Sequence, residues 1–263
     1  MIGQYPHPNG KLALEVDVNT DILAFTTIKE GNPRDPVSKT RAAVALDTVK
    51  NLQTQNITCV VIFTECAEAY LQQLQSFGAI IVPETQHGMS NSRREALQKA
   101  MQYADSNTHL LWLEPEKPDL PRYAKNLRRA MIEANARIGL FNRTPLSMLS
   151  YPVEQSHYYQ FCRAVASAFA GFDIDYAFGP MMLHVEATSD FLNYKSQYGD
   201  LWDAILVPRI PFLKRGEVVV MDADFLNDAR MTAIESGSTA MILKRLQQFN
   251  NVIPSLINGW QER

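Results

Sequence analysis

Apolar and polar positions alternate in blocks along the first half of the chain. Ile22 to Ile28 (ILAFTTI) is a short apolar, β-rich run that predicts a buried strand. A polar loop with two prolines follows, Lys29 to Ser38. Ala43, Leu46, Val49 and Leu52 recur at helical spacing and predict an amphipathic helix over Thr40 to Gln53. Ile57 to Phe63 (ITCVVIF) predicts a second buried strand. Tyr70, Leu71, Leu74 and Phe77 predict a helix over Ala67 to Phe77, stopped by Gly78. Ala79 to Val82 is a third, short strand. A turn, Pro83 to Ser90, leads to a helix over Ser92 to Ala104, with Asn91 or Ser92 as its N-cap. His109 to Leu113 predicts a strand, Arg122 to Asn135 a helix, and Ile138 to Phe141 another strand.

This alternation predicts a parallel α/β sheet. Ligands in such sheets bind at the carboxyl ends of the strands, so the loops after Ile28, Phe63, Val82 and Leu113 form the expected functional edge. The second half is less regular. It offers a helix around Glu154 to Phe169, a strand over Gly216 to Met221, and two closing helices ending near Ile257. No stretch has linker composition, so residues 1–263 are expected to form a single domain.

Composition narrows the class. Hydrophobic residues make up 46% and charged residues 20% of 263, which is ordinary globular usage. The net charge of −3 lacks the basic footprint of a nucleic-acid binder, so any anion site must be local. No apolar run approaches the roughly 20 residues that span a bilayer, and Met1 to Asn9 is too polar for a signal peptide. Cys59, Cys66 and Cys162 have no metal-ligand spacing and read as reduced thiols. A cytoplasmic protein without a transmembrane segment or nucleic-acid partner is expected.

The strongest chemical signal follows the fourth strand, where Leu110-Leu111-Trp112-Leu113 runs into Glu114-Pro115-Glu116-Lys117-Pro118-Asp119. The prolines hold this loop extended. Acids two apart on extended chain face the same way, so Glu114 and Glu116 can share one hard cation or form a solvated acidic loop. Asn91-Ser92-Arg93-Arg94-Glu95 opens a helix, where arginine and helix dipole favour phosphate; the alternative is a capped helix with surface arginines. Thr26 to Pro33 closes the first strand without either common phosphate-binding glycine motif. Glu65 either accepts hydrogen bonds from a ribose or base, or caps the next helix. Asp173 and Asp175 are again two apart, and Asp203 follows Trp202. Asp222 and Asp224 form a further acidic pair, ranked below the Glu114 loop. Lys244-Arg245 with Gln247-Gln248 either reach a phosphate or form the solvated face of the last helix. The chain lacks GxSxG and HExxH, and Cys162 and Met181-Met182-Leu183 read as packing.

In this order, Ala24-Phe25-Thr26-Thr27, Glu65, Ser92-Arg93-Arg94-Glu95-Ala96-Leu97 and Glu114-Pro115-Glu116 resemble the GT-A nucleotide-sugar glycosyltransferases, loosely the family 2 type. The resemblance covers about residues 20 to 145. It implies a three-layer α/β/α sandwich with a mostly parallel central sheet. Residues 20–145 would be the nucleotide-sugar-binding half, and 146–263 the acceptor side and a helical elaboration. It implies transfer of a sugar from a nucleotide-diphosphate donor to an unidentified acceptor. Thr26, Glu30, Glu65, Arg93 and Lys117 would bind the donor. Glu114 and Glu116 would hold Mg²⁺ or Mn²⁺ against the diphosphate. Asp203, Asp173 and Asp175 are the candidates for a catalytic base. The usual Asp-x-Asp is here Glu-Pro-Glu, and the Lys117 ammonium is placed to neutralise diphosphate in part. Two alternatives remain: a sugar-phosphate nucleotidyltransferase, and a non-catalytic binding protein of the same fold.

Overall fold

The computed structural model describes residues 21–32 and 34–262; the polar start Met1–Asn9 and Pro33 of the first loop lie outside them. The strands are β1 Ile22–Lys29, β2 Thr58–Thr64, β3 Ile80–Pro83, β4 His109–Trp112, β5 Ile138–Arg143, β6 Met181–His184 and β7 Val218–Ala223. The helices are α1 Pro36–Thr54, α2 Glu68–Ser76, α3 Met89–Met101, α4 Ala124–Glu133, α5 Pro145–Leu149, α6 Val153–Ala170, α7 Thr188–Asn193, α8 Asp203–Leu206, α9 Ile210–Arg215, α10 Ala229–Glu235 and α11 Thr239–Gln261.

One sheet of order β3-β2-β1-β4-β6-β5-β7 takes strands from both halves of the chain. All pairings are parallel except those of β6, which runs antiparallel to β4 and β5. The expected α/β architecture with a mostly parallel central sheet is present. β6 is the element that strand-run reading missed. Met181, Met182 and Leu183 pack as expected, but they do so as a central strand whose neighbours bury it on both faces. Four residues are too few to show a period.

Helix boundaries move for local reasons. α1 starts before Thr40, because Asp35 accepts from the Ser38 amide at 2.9 Å and Pro36 suits the first turn. α3 starts at Met89 with Gly88 at its N-cap, not Asn91 or Ser92. Gly88 has φ 109°, a backbone conformation that side chains disfavour. α11 runs on to Gln261, past the expected end near Ile257. No helix among the described residues is long and apolar enough to cross a membrane.

Candidate functional site

The carboxyl ends of β1, β2 and β4 open into a cleft of about 600 Å³. Its walls come from both halves of the chain: α1, α3 and the Glu114 loop on one side, α6, α10 and α11 on the other. The loop is fixed from α1. Thr48 donates to the Pro115 carbonyl at 2.6 Å and Asn51 to the Pro118 carbonyl at 2.7 Å. These bonds satisfy carbonyls in a segment whose prolines have no amide to give. Glu114, Glu116 and Lys117 are thereby turned into the cleft.

Glu114 reaches across to the Gly179 backbone. A Cβ at position 179 would stand 2.6 Å from Glu114 Oε1, so only glycine leaves the carboxylate its place. Buried Arg209 fixes that segment by donating to the carbonyls of Phe178, at 2.9 Å, and Gly179. Lys117 Nζ donates to Asn227 Oδ1 at 3.1 Å, lies 3.9 Å from Glu114 Oε2 and stands over the Tyr151 ring. Burial opposes its charge. Tyr151 and Glu114 outweigh that and hold its pKa above a free lysine's. The Arg93 guanidinium lies 5.5 Å from the Trp112 ring centre. Burial draws its pKa down to about 10, with Glu114 and Glu116 pulling the other way, so it stays charged at neutral pH.

A linked polar set bridges the two sides, from α1 to α6, α10 and α11. Arg41 contacts Glu235 at 3.3 Å and Glu116 at 3.9 Å. Gln155 donates to Glu235 at 2.7 Å, and Arg245 donates to Gln155 at 2.8 Å. Lys244 stands beside Arg41 and Arg245 and has no hydrogen-bond or ion-pair partner among the described residues. Six basic side chains line the cleft (Lys29, Arg41, Arg93, Lys117, Lys244, Arg245) against the carboxylates Glu84, Glu114, Glu116 and Glu235. The cleft is therefore net positive in a chain of net charge −3.

Of the residues expected at a site, Arg93, Lys117, Glu114 and Glu116 share this cleft. The other six lie outside its lining. Thr26 points into the sheet and donates to the Leu113 carbonyl at 2.8 Å; its neighbour Thr27 faces the cleft instead. Neither Glu30 nor Glu65 caps the second helix by a side chain; Glu30 accepts from the Ala67 amide just ahead of it at 2.6 Å. Glu65 is exposed and pairs with Lys29 at 2.7 Å. Asp173 pairs with Arg163. Asp175 is fully enclosed in a two-pronged pair with Arg143, at 2.6 and 2.9 Å. Asp203 is buried and accepts from the Leu201 amide at 2.9 Å and Asn251 at 2.8 Å. Asp224 accepts from Thr144, outside the cleft. Burial pushes the Cys162 thiol up to about 12, as befits a packing residue.

Lys244 and Arg245 prove to face the cleft while Gln247 faces solvent. Arg41, Trp202 and Glu235 escaped the sequence reading as site residues. Arg41 carried one signal, a cation early in the helix after the first strand. Trp202 stands in sequence only as the neighbour of Asp203. Glu235 carried none, because its helix meets α1 only in the folded chain.

Two carboxylates on one loop are a candidate pair for Mg²⁺ or Mn²⁺. The surroundings do not fit a divalent ion. Each carboxylate has a protein cation 3.9 Å away, and the cleft already holds excess positive charge. Among the described residues no third His, Cys, Asp or Glu joins them.

No protein-family model matches the chain, and no curated protein matches it significantly. Solved structures do. A mycobacterial protein superposes with a TM-score of 0.57 at 9% identity, over 92% of this chain and 74% of that one. A Desulfovibrio desulfuricans G20 protein described as a "putative nucleotide-diphospho-sugar transferase" gives a TM-score of 0.45 at 9% identity, over 92% of this chain and 98% of that one. At such identity the first likeness speaks for a shared fold alone, and the second is too distant to argue from.

Proposed function

We propose that this protein transfers a sugar from a nucleotide-diphosphate donor to an acceptor hydroxyl. One observation carries the reading. The acid–Pro–acid loop that follows β4 opens into a net-positive cleft at the carboxyl edge of the sheet, together with Arg93. The order of motifs that resembles the GT-A glycosyltransferases points the same way. Arg93 and Lys117 bind phosphate oxygens and stabilise charge on the departing diphosphate. Trp202, partly exposed in the lining, offers a flat apolar face to base or sugar, while Trp112 lies buried beneath Arg93. Glu114, seated against Gly179, takes the proton from the acceptor hydroxyl. Thr26, Glu30, Glu65, Asp173, Asp175 and Asp203 have no part in this scheme, since each is engaged outside the lining.

Calorimetric titration with UDP, GDP and their sugars tests the reading, followed by assay of donor consumption with simple sugar acceptors. Binding of one nucleotide family is expected. Absence of binding by any nucleoside diphosphate to folded protein sinks it. Release of pyrophosphate from a nucleoside triphosphate and a sugar phosphate would indicate a nucleotidyltransferase instead.

A further inference from the structure

Arg41 on α1 and Lys244 and Arg245 on α11 line the same cleft, and Arg41 reaches across to Met241 of α11. Their charges are incompletely balanced. Lys244 has no partner among the described residues. Burial, then Arg41 and Arg245, depress its pKa, with Glu116 and Glu235 opposing. The Nε atoms of Arg41 and Arg245 are buried without a hydrogen-bond partner. Like charges crowded together in a partly shielded cleft cost free energy, and buried donors without acceptors cost more. An arrangement of that kind is stabilised by an anion with several oxygens.

We infer that Arg41, Lys244 and Arg245 form a phosphate subsite that binds a phosphorylated ligand without a divalent metal. The protein's own cations supply the neutralising charge. The inference deepens the proposed function and rests on it only for the ligand's source. Diphosphate of a nucleotide donor and a phosphate group on the acceptor present the same oxygens to these side chains.

The test uses the full chain in EDTA, titrated calorimetrically with inorganic pyrophosphate and then in competition with UDP, GDP and glucose 6-phosphate. Pyrophosphate is expected to bind in EDTA, and added Mg²⁺ or Mn²⁺ is not expected to tighten it. Lys244→Gln should weaken pyrophosphate at least tenfold while leaving the melting temperature equal or higher, because it removes a repelled charge. A lysine serving only the fold would lower the melting temperature instead. Lys125→Gln on α4, exposed and outside the lining, should bind as the parent does. Displacement by a nucleoside diphosphate assigns the subsite to the donor, and displacement by the sugar phosphate assigns it to the acceptor. Either supports the subsite. If pyrophosphate binds but no nucleotide competes, the subsite stands and the nucleotide-sugar reading falls. Binding only with a divalent metal, or unchanged binding by Lys244→Gln, overturns the inference.

Discussion

Two carboxylates show how much a residue's surroundings decide. Glu114 lines the cleft against Gly179, on a side open to a ligand. Glu114→Gln keeps the shape and removes the proposed base. Turnover is expected to fall about 100-fold or more, with donor affinity little changed, as steady-state kinetics beside calorimetry would show. Asp175 has the same functional group and none of that access. Its side chain and that of Arg143 are wholly enclosed, with Arg143 stacked 3.5 Å from the Tyr159 ring centre. Asp175→Asn leaves a guanidinium buried without its counter-charge. Urea denaturation should show a loss of about 3–5 kcal/mol, the usual consequence of breaking a buried pair. A variant of native stability that had lost turnover would restore Asp175 as a catalytic base.

At the scale of elements, the antiparallel strand β6 has the largest consequence. It sets His184 directly opposite His109 on β4, with ring centres 5.4 Å apart. Burial, then Arg128 and His184, hold the His109 imidazole below its ordinary pKa of 6.5, with the Asn107 carbonyl and Asp21 opposing. The unfolded chain therefore takes up a proton near 6.5 that the folded sheet resists. Stability is intact above that pH and is lost as pH falls through it. Thermal melts on acidification from neutral pH should show the parent losing more stability than His109→Gln. Equal losses would mean that His109 does not take up a proton on unfolding. The elements themselves were mostly legible in sequence, because strands buried on both faces read as unbroken apolar runs. β6 was not, since its burial comes from strands distant in the chain. α3 was displaced because Gly88 caps it through backbone conformation, which residue preference alone does not show.

Across the whole molecule, charge is separated. The chain is net negative and the cleft net positive. Raising ionic strength from about 0.1 M to about 1 M shortens the screening length from about 10 Å to about 3 Å. If the local cations govern binding, UDP affinity should fall several-fold over that range by calorimetry. If the net charge governed it, salt would relieve repulsion and affinity would rise. The sign of the change settles which field the ligand feels.

The sequence by itself determined the strand–helix alternation, the carboxyl edge of the sheet on which the cleft opens, and two of its lining features, the Glu114 loop and Arg93 on α3. These depend on neighbours in the chain, through period, proline and strand ends. The tertiary structure alone decided which charged residues share a cleft. Asp173, Asp175 and Asp203 are each claimed by a partner elsewhere, while Arg41 and Lys244, about two hundred positions apart, stand side by side. A carboxylate's chemistry depends on whether water, a ligand or a buried guanidinium faces it, and only the folded chain brings those groups together.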